Sequence, residues 1–219
     1  MIRKLITVLF LTLAMTSLKA QALDLEYKGF YQRLEIIEDN ELDKITMGFY
    51  LVDAYDRQRC EIQSALLFGP GITDRAIETG NDGRLMVPFD KKLYDGFAIL
   101  RVNLQDPGQN CTLQMQIQVK DASKTAFSFA ELSAYREQMQ TLMDEFGGFL
   151  WFMMPDVQGL NLKLANDNSL SYIDETLQSA LNCEQRQCTL AIDEGQTSSE
   201  MALQFSQPPI VISPWVAKD

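Results

Sequence analysis

The chain has 219 residues, 46% hydrophobic and 22% charged, with 30 acidic against 19 basic side chains and no histidine. That much apolar material argues against a disordered chain, and a formal charge of -11 argues against nucleic acid as a partner, which needs clustered Lys and Arg. The missing histidine removes Ser-His-Asp and Cys-His catalysis, His-ligated zinc and a His general base together.

The first 22 residues read as a signal peptide. Arg3 and Lys4 form a basic start, Leu5 to Met15 is apolar apart from two Thr, and Ala20-Gln21-Ala22 is the small-x-small pattern of a cleavage site, placing the cut after Ala22. The apolar stretch is about half the ~20 residues of a spanning helix, so no transmembrane segment is expected in the mature chain. Removing residues 1–22 deletes Arg3, Lys4 and Lys19 and no acid, leaving 197 residues with 16 basic and 30 acidic side chains, net -14. The short signal reads as bacterial and the expected location is periplasmic.

From Leu23 to Lys120 the pattern is mostly period two, which predicts an antiparallel β-sandwich of immunoglobulin-like kind. The expected strands are Arg33–Ile37, Ile45–Ala54, Glu61–Phe68, Ala76–Glu78, Arg84–Phe89, Phe97–Leu104 and Leu113–Val119, with a tight turn at Asn81-Asp82-Gly83. Leu113–Val119 is the clearest, four apolar residues alternating with three Gln. The acidic stretch Glu38–Asp43 reads as an exposed hairpin turn, since it lacks the spacing and Gly of an EF-hand loop.

A smaller α+β domain is expected over 121–219. Its helix starts at Ser128, which with Glu131 makes a capping box, while Phe127 and Leu132 occupy the two positions of a hydrophobic staple and Gly147 stands where a C-terminal cap belongs. Leu132, Tyr135, Met139, Leu142, Met143 and Phe146 recur at helical spacing between them. Next comes the most apolar run of the mature chain, 146–154. It is either a buried strand or helix end or, if exposed, a hydrophobic binding patch carried by Phe149, Leu150, Trp151 and Phe152. Leu160–Leu164, Cys188–Ile192, Glu200–Phe205 and Ile210–Val216 read as strands, and Ser171–Asn182 as a helix with Ile173, Leu177 and Leu181 on one face.

Four cysteines, an even count in an exported chain, imply two disulfides. Cys183 and Cys188, four residues apart, suit a local staple, which leaves Cys60 for Cys111. Neither the double C-x2-C of a zinc ribbon nor a redox C-x-x-C occurs, and no cofactor or metal is expected. Gly69-Pro70-Gly71 and Gly147-Gly148 are not phosphate-cradling loops, and no carboxylate is marked out from its neighbours, so no catalytic residue is assigned.

Leu25–Leu34, Gly48–Val52, Asp82–Asp90 and Pro209–Val216 resemble an uncharacterised family of exported proteins from Gram-negative bacteria. The resemblance implies a periplasmic location and carries no activity, cofactor or site residue. Two functions are therefore expected: a non-enzymatic binding or envelope-assembly protein whose partner is another cell-envelope protein or, alternatively, a carboxylate-dependent hydrolase of an envelope polymer.

Overall fold

The computed structural model describes residues 22–193 and 200–216; the signal-peptide reading of residues 1–21 therefore lies outside the described residues. The protein is mainly β, with antiparallel sheets and three α-helices among the described residues. Strand β1, Leu23–Glu26, pairs along β5, Ile99–Leu104, and Asp24 and Arg101, directly opposite in the register, form a two-pronged ion pair with both contacts at 2.7 Å. Bonding to the guanidinium holds the Asp24 carboxyl below the usual range.

The next element corrects the strand expected at Arg33–Ile37, because Tyr27–Asp39 is helix α1. Its buried residues Tyr27, Phe30, Tyr31 and Ile37 follow the three-and-four spacing of a helix face. The start is inconspicuous in sequence because Glu26 at the N-cap makes no side-chain capping bond. Glu38–Asp43 is likewise a helix-to-strand connection and not a hairpin turn. Asn40 and Glu41 return their N–H groups to the last turn of α1, and Asp43 accepts a bond from Gln138, which lowers the Asp43 carboxyl.

Strands β2 (Ile45–Asp53), β3 (Ile62–Gly69) and β4 (Ile72–Ile77) and the short helix α2 (Lys91–Asp95) precede β5, and β6 (Cys111–Val119) follows it. One sheet runs in the order β1-β5-β3-β4, and β2 pairs with β6 over its whole length. Arg84–Phe89 is not a strand. The turn at Asn81–Gly83 forms, but only Thr79 and Leu85 bridge across it. The chain then passes under α1, where Tyr27 donates to the Pro88 carbonyl at 2.6 Å and accepts from the Asp90 N–H at 2.9 Å.

Beyond β7, Ala126–Phe127, the capped helix is α3, Phe129–Gly147. The Ser128 hydroxyl accepts the Glu131 N–H at 3.2 Å, and both staple residues are buried. The Glu131 carboxylate does not complete the box; it turns to Lys124 and the Tyr135 hydroxyl instead. The cap falls one residue later than Gly147, at Gly148, whose φ of +52° glycine adopts at least cost.

β8 (Val157–Lys163), β9 (Leu170–Ile173), β10 (Leu181–Glu184), β11 (Gln187–Ala191), β12 (Leu203–Phe205) and β13 (Val211–Val216) complete the chain. The helix expected at Ser171–Asn182 is absent. Asp174 accepts the N–H of Thr176, closing a short 3-10 turn between β9 and β10, so the four-residue spacing of Ile173, Leu177 and Leu181 does not mark a helix face. Two sheets run β10-β11-β8-β13 and β7-β12-β9. Pro214, which has no N–H, lies on β13 at the outer edge of its ladder.

Both expected disulfides are present. Cys60–Cys111 closes a 51-residue separation beside the core, and Cys183–Cys188 joins directly opposed residues of β10 and β11. One buried cluster runs through both parts of the chain, including Phe30, Phe49 and Leu100 on one side of residue 120 and Leu132, Leu160 and Ile212 on the other.

Candidate functional site

The clearest strand in the sequence is where the surface opens. On β6 the apolar face is only partly covered, with Leu113 and Ile117 half-buried and Met115 exposed, while Gln118 from the polar face is buried. Register explains part of this. Met115 lies opposite Phe49 on β2, and Phe49 is covered by Phe30 of α1, the rings meeting edge to face at 4.8 Å. Helix α1 packs on β2, whereas β6 is met by α3 and β13 and keeps Met115 exposed, so the alternation was real but its apolar face is covered only in part.

The uncovered part is an apolar groove of about 500 Å³. Met47, Met115 and Ile117 form its floor with Gln116 beside them, and Met143 and Phe146 of α3, Met154 and Pro214 complete its lining. Arg33 is its single charged lining residue, and that guanidinium donates to the Gly29 carbonyl. Thioether side chains are flexible and polarizable, so such a surface adapts to apolar partners of varied shape.

Beside the groove stands the segment 148–153, a 3-10 turn with no buried residue. The buried reading of the run 146–154 is thereby corrected: Phe149 is 91% exposed, Trp151 59%, Phe152 63% and Met153 69%, with Leu150 half out. All four candidate patch residues are brought together on this one turn, and the Trp151 and Phe152 rings meet edge to face at 6.4 Å. The physical reason is closure at both ends. Gly147 packs against Met154, so closely that a Cβ would fall on the Met154 side chain, and α3 holds Val157 by two side-chain bonds, so both ends of the turn are fixed against α3 while its middle faces solvent.

Next to the groove, sharing Met154 with it and lined by Trp151 and Phe152 of the turn, lies a second, more polar cleft of about 810 Å³. Trp151, Phe152 and Trp215 contribute its aromatic surface, and Met154 lines both this cleft and the groove. Its charged lining is Glu137, Asp144, Asp156 and Asp193 against Arg136 alone. Asp193 carried no mark in the sequence and Trp215 only its place in the closing strand; Met115 and Met143 were visible as apolar positions of a strand and a helix and Met154 as the end of the apolar run, but no local signal joined them into one groove. Among the described residues no group of three or more His, Cys, Asp or Glu is placed to hold a metal ion.

Three of the four segments behind the family resemblance meet in the interior, while the fourth, 209–216, supplies Pro214 to the groove and Trp215 to the cleft. The Tyr50 hydroxyl lies 2.8 Å from the Asp82 carboxylate and 2.5 Å from the side-chain amide of buried Gln118, with Arg59 stacked over the Tyr50 ring at 3.3 Å. Phe49 accepts the Leu85 N–H, and Tyr31 stacks on Phe89 at 4.7 Å. A Cβ on Gly48 would fall on the Gln118 side chain, so glycine there makes room for the network. Burial pushes the Tyr50 phenol up to about 12. These contacts tie 25–34, 48–52 and 82–90 into one folding unit and open onto no cavity among those described.

No curated protein matches this chain, and no solved structure does. A family model described as "Protein of unknown function (DUF2987)" matches residues 19–164, which takes in α1, the Tyr50 network, the groove floor, all of α3 and the exposed aromatic turn. The chain belongs to this DUF2987 family, which has no assigned function.

Proposed function

We propose that this protein is a non-enzymatic binding or assembly protein of the cell envelope, engaging another envelope protein through the turn Phe149–Phe152. The observation that carries the reading is the exposure of four consecutive apolar residues, three of them aromatic, beside an open Met-rich groove. A monomeric soluble protein rarely leaves so contiguous a patch in water unless something covers it. The periplasmic location belongs to the same proposal and is supported by the signal-peptide pattern and by two disulfides, which persist in oxidising compartments. The immunoglobulin-like sandwich for 23–120, followed by a smaller α+β unit, is also proposed; its support is the antiparallel β1-β5-β3-β4 sheet and the β2-β6 pair sharing one core.

The test is site-specific photocrosslinking in the native host, with a photoreactive phenylalanine at Phe149 and, as control, at Tyr55, which is 85% exposed and remote in sequence. The expected result is a discrete envelope-protein adduct from position 149 and none from 55. Equal labelling at both, or none at 149, overturns the reading.

A further inference from the structure

We infer that the partner of this surface is a polypeptide segment that is apolar on one side and cationic on the other, an amphipathic basic helix being the simplest case; the inference rests on the binding reading above. Two adjoining surfaces lead to it. The groove floored by Met47, Met115 and Ile117 is lined by apolar side chains apart from Gln116 and Arg33, and the Arg33 guanidinium is engaged by the Gly29 carbonyl. The neighbouring cleft combines the Trp151, Phe152 and Trp215 rings with the carboxylates of Glu137, Asp144, Asp156 and Asp193. Met154 belongs to both, so one occupant can lie across the two.

Aromatic faces attract cations, and carboxylates at the rim add long-range attraction and register. The single opposing charge in the cleft, Arg136, has its Nε committed to the Val157 carbonyl at 2.8 Å. A Lys or Arg from the partner therefore finds both an aromatic face and an unlike charge, while its apolar residues meet the flexible thioethers. The same distribution disfavours a bilayer. Asp144, Glu145 and Asp156 flank the aromatic turn and no Lys or Arg occurs from 137 to 162, so an anionic leaflet would repel this rim.

The experiment uses purified, disulfide-intact protein and three synthetic peptides of equal length: a Leu/Lys amphipathic helix, its Leu/Glu counterpart and a Ser/Lys chain. Binding is followed by Trp emission and calorimetry. The Leu/Lys peptide is expected to bind at least about tenfold more tightly than either other peptide. Its affinity should fall as salt rises from about 0.01 M to about 1 M, over which the screening length shrinks from about 30 Å to about 3 Å. The exposed pair Glu137→Gln/Asp156→Asn should weaken it about tenfold, and Trp151→Ser should do so independently. Asp39→Asn/Glu41→Gln, an acidic pair outside both surfaces, should change nothing.

Leu/Glu binding as tight as Leu/Lys overturns the cationic partner and leaves the apolar binding surface standing. Ser/Lys binding as tight, or equal weakening by the remote pair, reduces the effect to general charge attraction and overturns the inference. Binding of neither amphipathic peptide overturns both readings. Tighter binding to phosphatidylethanolamine/phosphatidylglycerol vesicles, or a stable dimer in sedimentation that Trp151→Ser dissolves, assigns the surface to another occupant and overturns the inference.

Discussion

The side-chain oxygen of Gln140 accepts the backbone N–H of Val157 at 2.6 Å, and Arg136, one turn earlier on α3, donates to the carbonyl of the same residue at 2.8 Å. Both polar groups of the residue that opens β8 are thus satisfied by the helix, and the chain from Gly148 to Asp156 is forced outward as a closed excursion. Gln140→Ala should leave the Val157 N–H without its partner beside a fully buried side chain, costing about 1–3 kcal/mol. Denaturant unfolding measures the loss. A stability unchanged within error would show that the bond does not hold the excursion in place.

The excursion itself should be nearly free of stabilising contacts. Phe149→Ser and Trp151→Ser are expected to shift stability by no more than about 0.5 kcal/mol, as at other exposed positions, while abolishing binding of a hydrophobic dye such as ANS. A large loss of stability from either change would mean that the rings are packed rather than presented.

Gly159 sits in the middle of β8, where a Cβ would fall on the Leu190 carbonyl of the neighbouring strand. The obstacle is backbone, so no side-chain rotation relieves it. Gly159→Ala should therefore destabilise by well over about 1 kcal/mol or prevent folding. Gly71→Ala, at a turn where space is open but φ is +69°, should cost only the left-handed conformation, about 1–2 kcal/mol. Comparing the two midpoints in urea separates collision from strain.

The two disulfides should contribute unequally. On the chain-entropy model the 51-residue separation of Cys60–Cys111 is worth about 4 kcal/mol and the 5-residue separation of Cys183–Cys188 about 2 kcal/mol. Paired Cys→Ser variants measured by thermal unfolding should preserve that order. The reverse order would locate the main stabilisation in the β10–β11 hairpin.

Alkali should unfold the protein through its buried phenols. Tyr27 and Tyr50 are both raised to about 12, chiefly by burial, which disfavours the phenolate, whereas an unfolded tyrosine ionises near 10. Their contribution is complete below pH ~10 and is lost as pH rises through ~12, because the unfolded state releases its protons first. Denaturant titrations across that window should show falling stability, with tyrosinate absorbance rising alongside unfolding. Tyr50→Phe should flatten part of the alkaline loss. At neutral pH it should cost about 1–3 kcal/mol, since Asp82 and Gln118 lose a shared partner.

Much of this molecule follows from local sequence rules, because the signals involved act over a few residues. Ser128, Phe127 and Leu132 mark the start of α3, period two marks β2, β3, β5 and β6, and the cysteine spacing marks both pairings. Helix α1 escaped because Glu26 supplies no capping bond and Arg33–Ile37 imitates a strand, and the segment 171–182 misled because a spacing of four spanned a turn fixed by Asp174. The apolar character of 146–154 and of the alternating face of β6 was also plain from the residues alone. Whether those surfaces would be covered was decided only in the folded chain, where α1 packs on β2, α3 and β13 cover β6 in part, and Gln140 and Arg136 draw Val157 onto α3. Hydrophobicity is a property of a residue, but burial is a property of what packs on it, and the acidic, histidine-free composition acquires a direction only where four carboxylates meet Trp151 and Trp215.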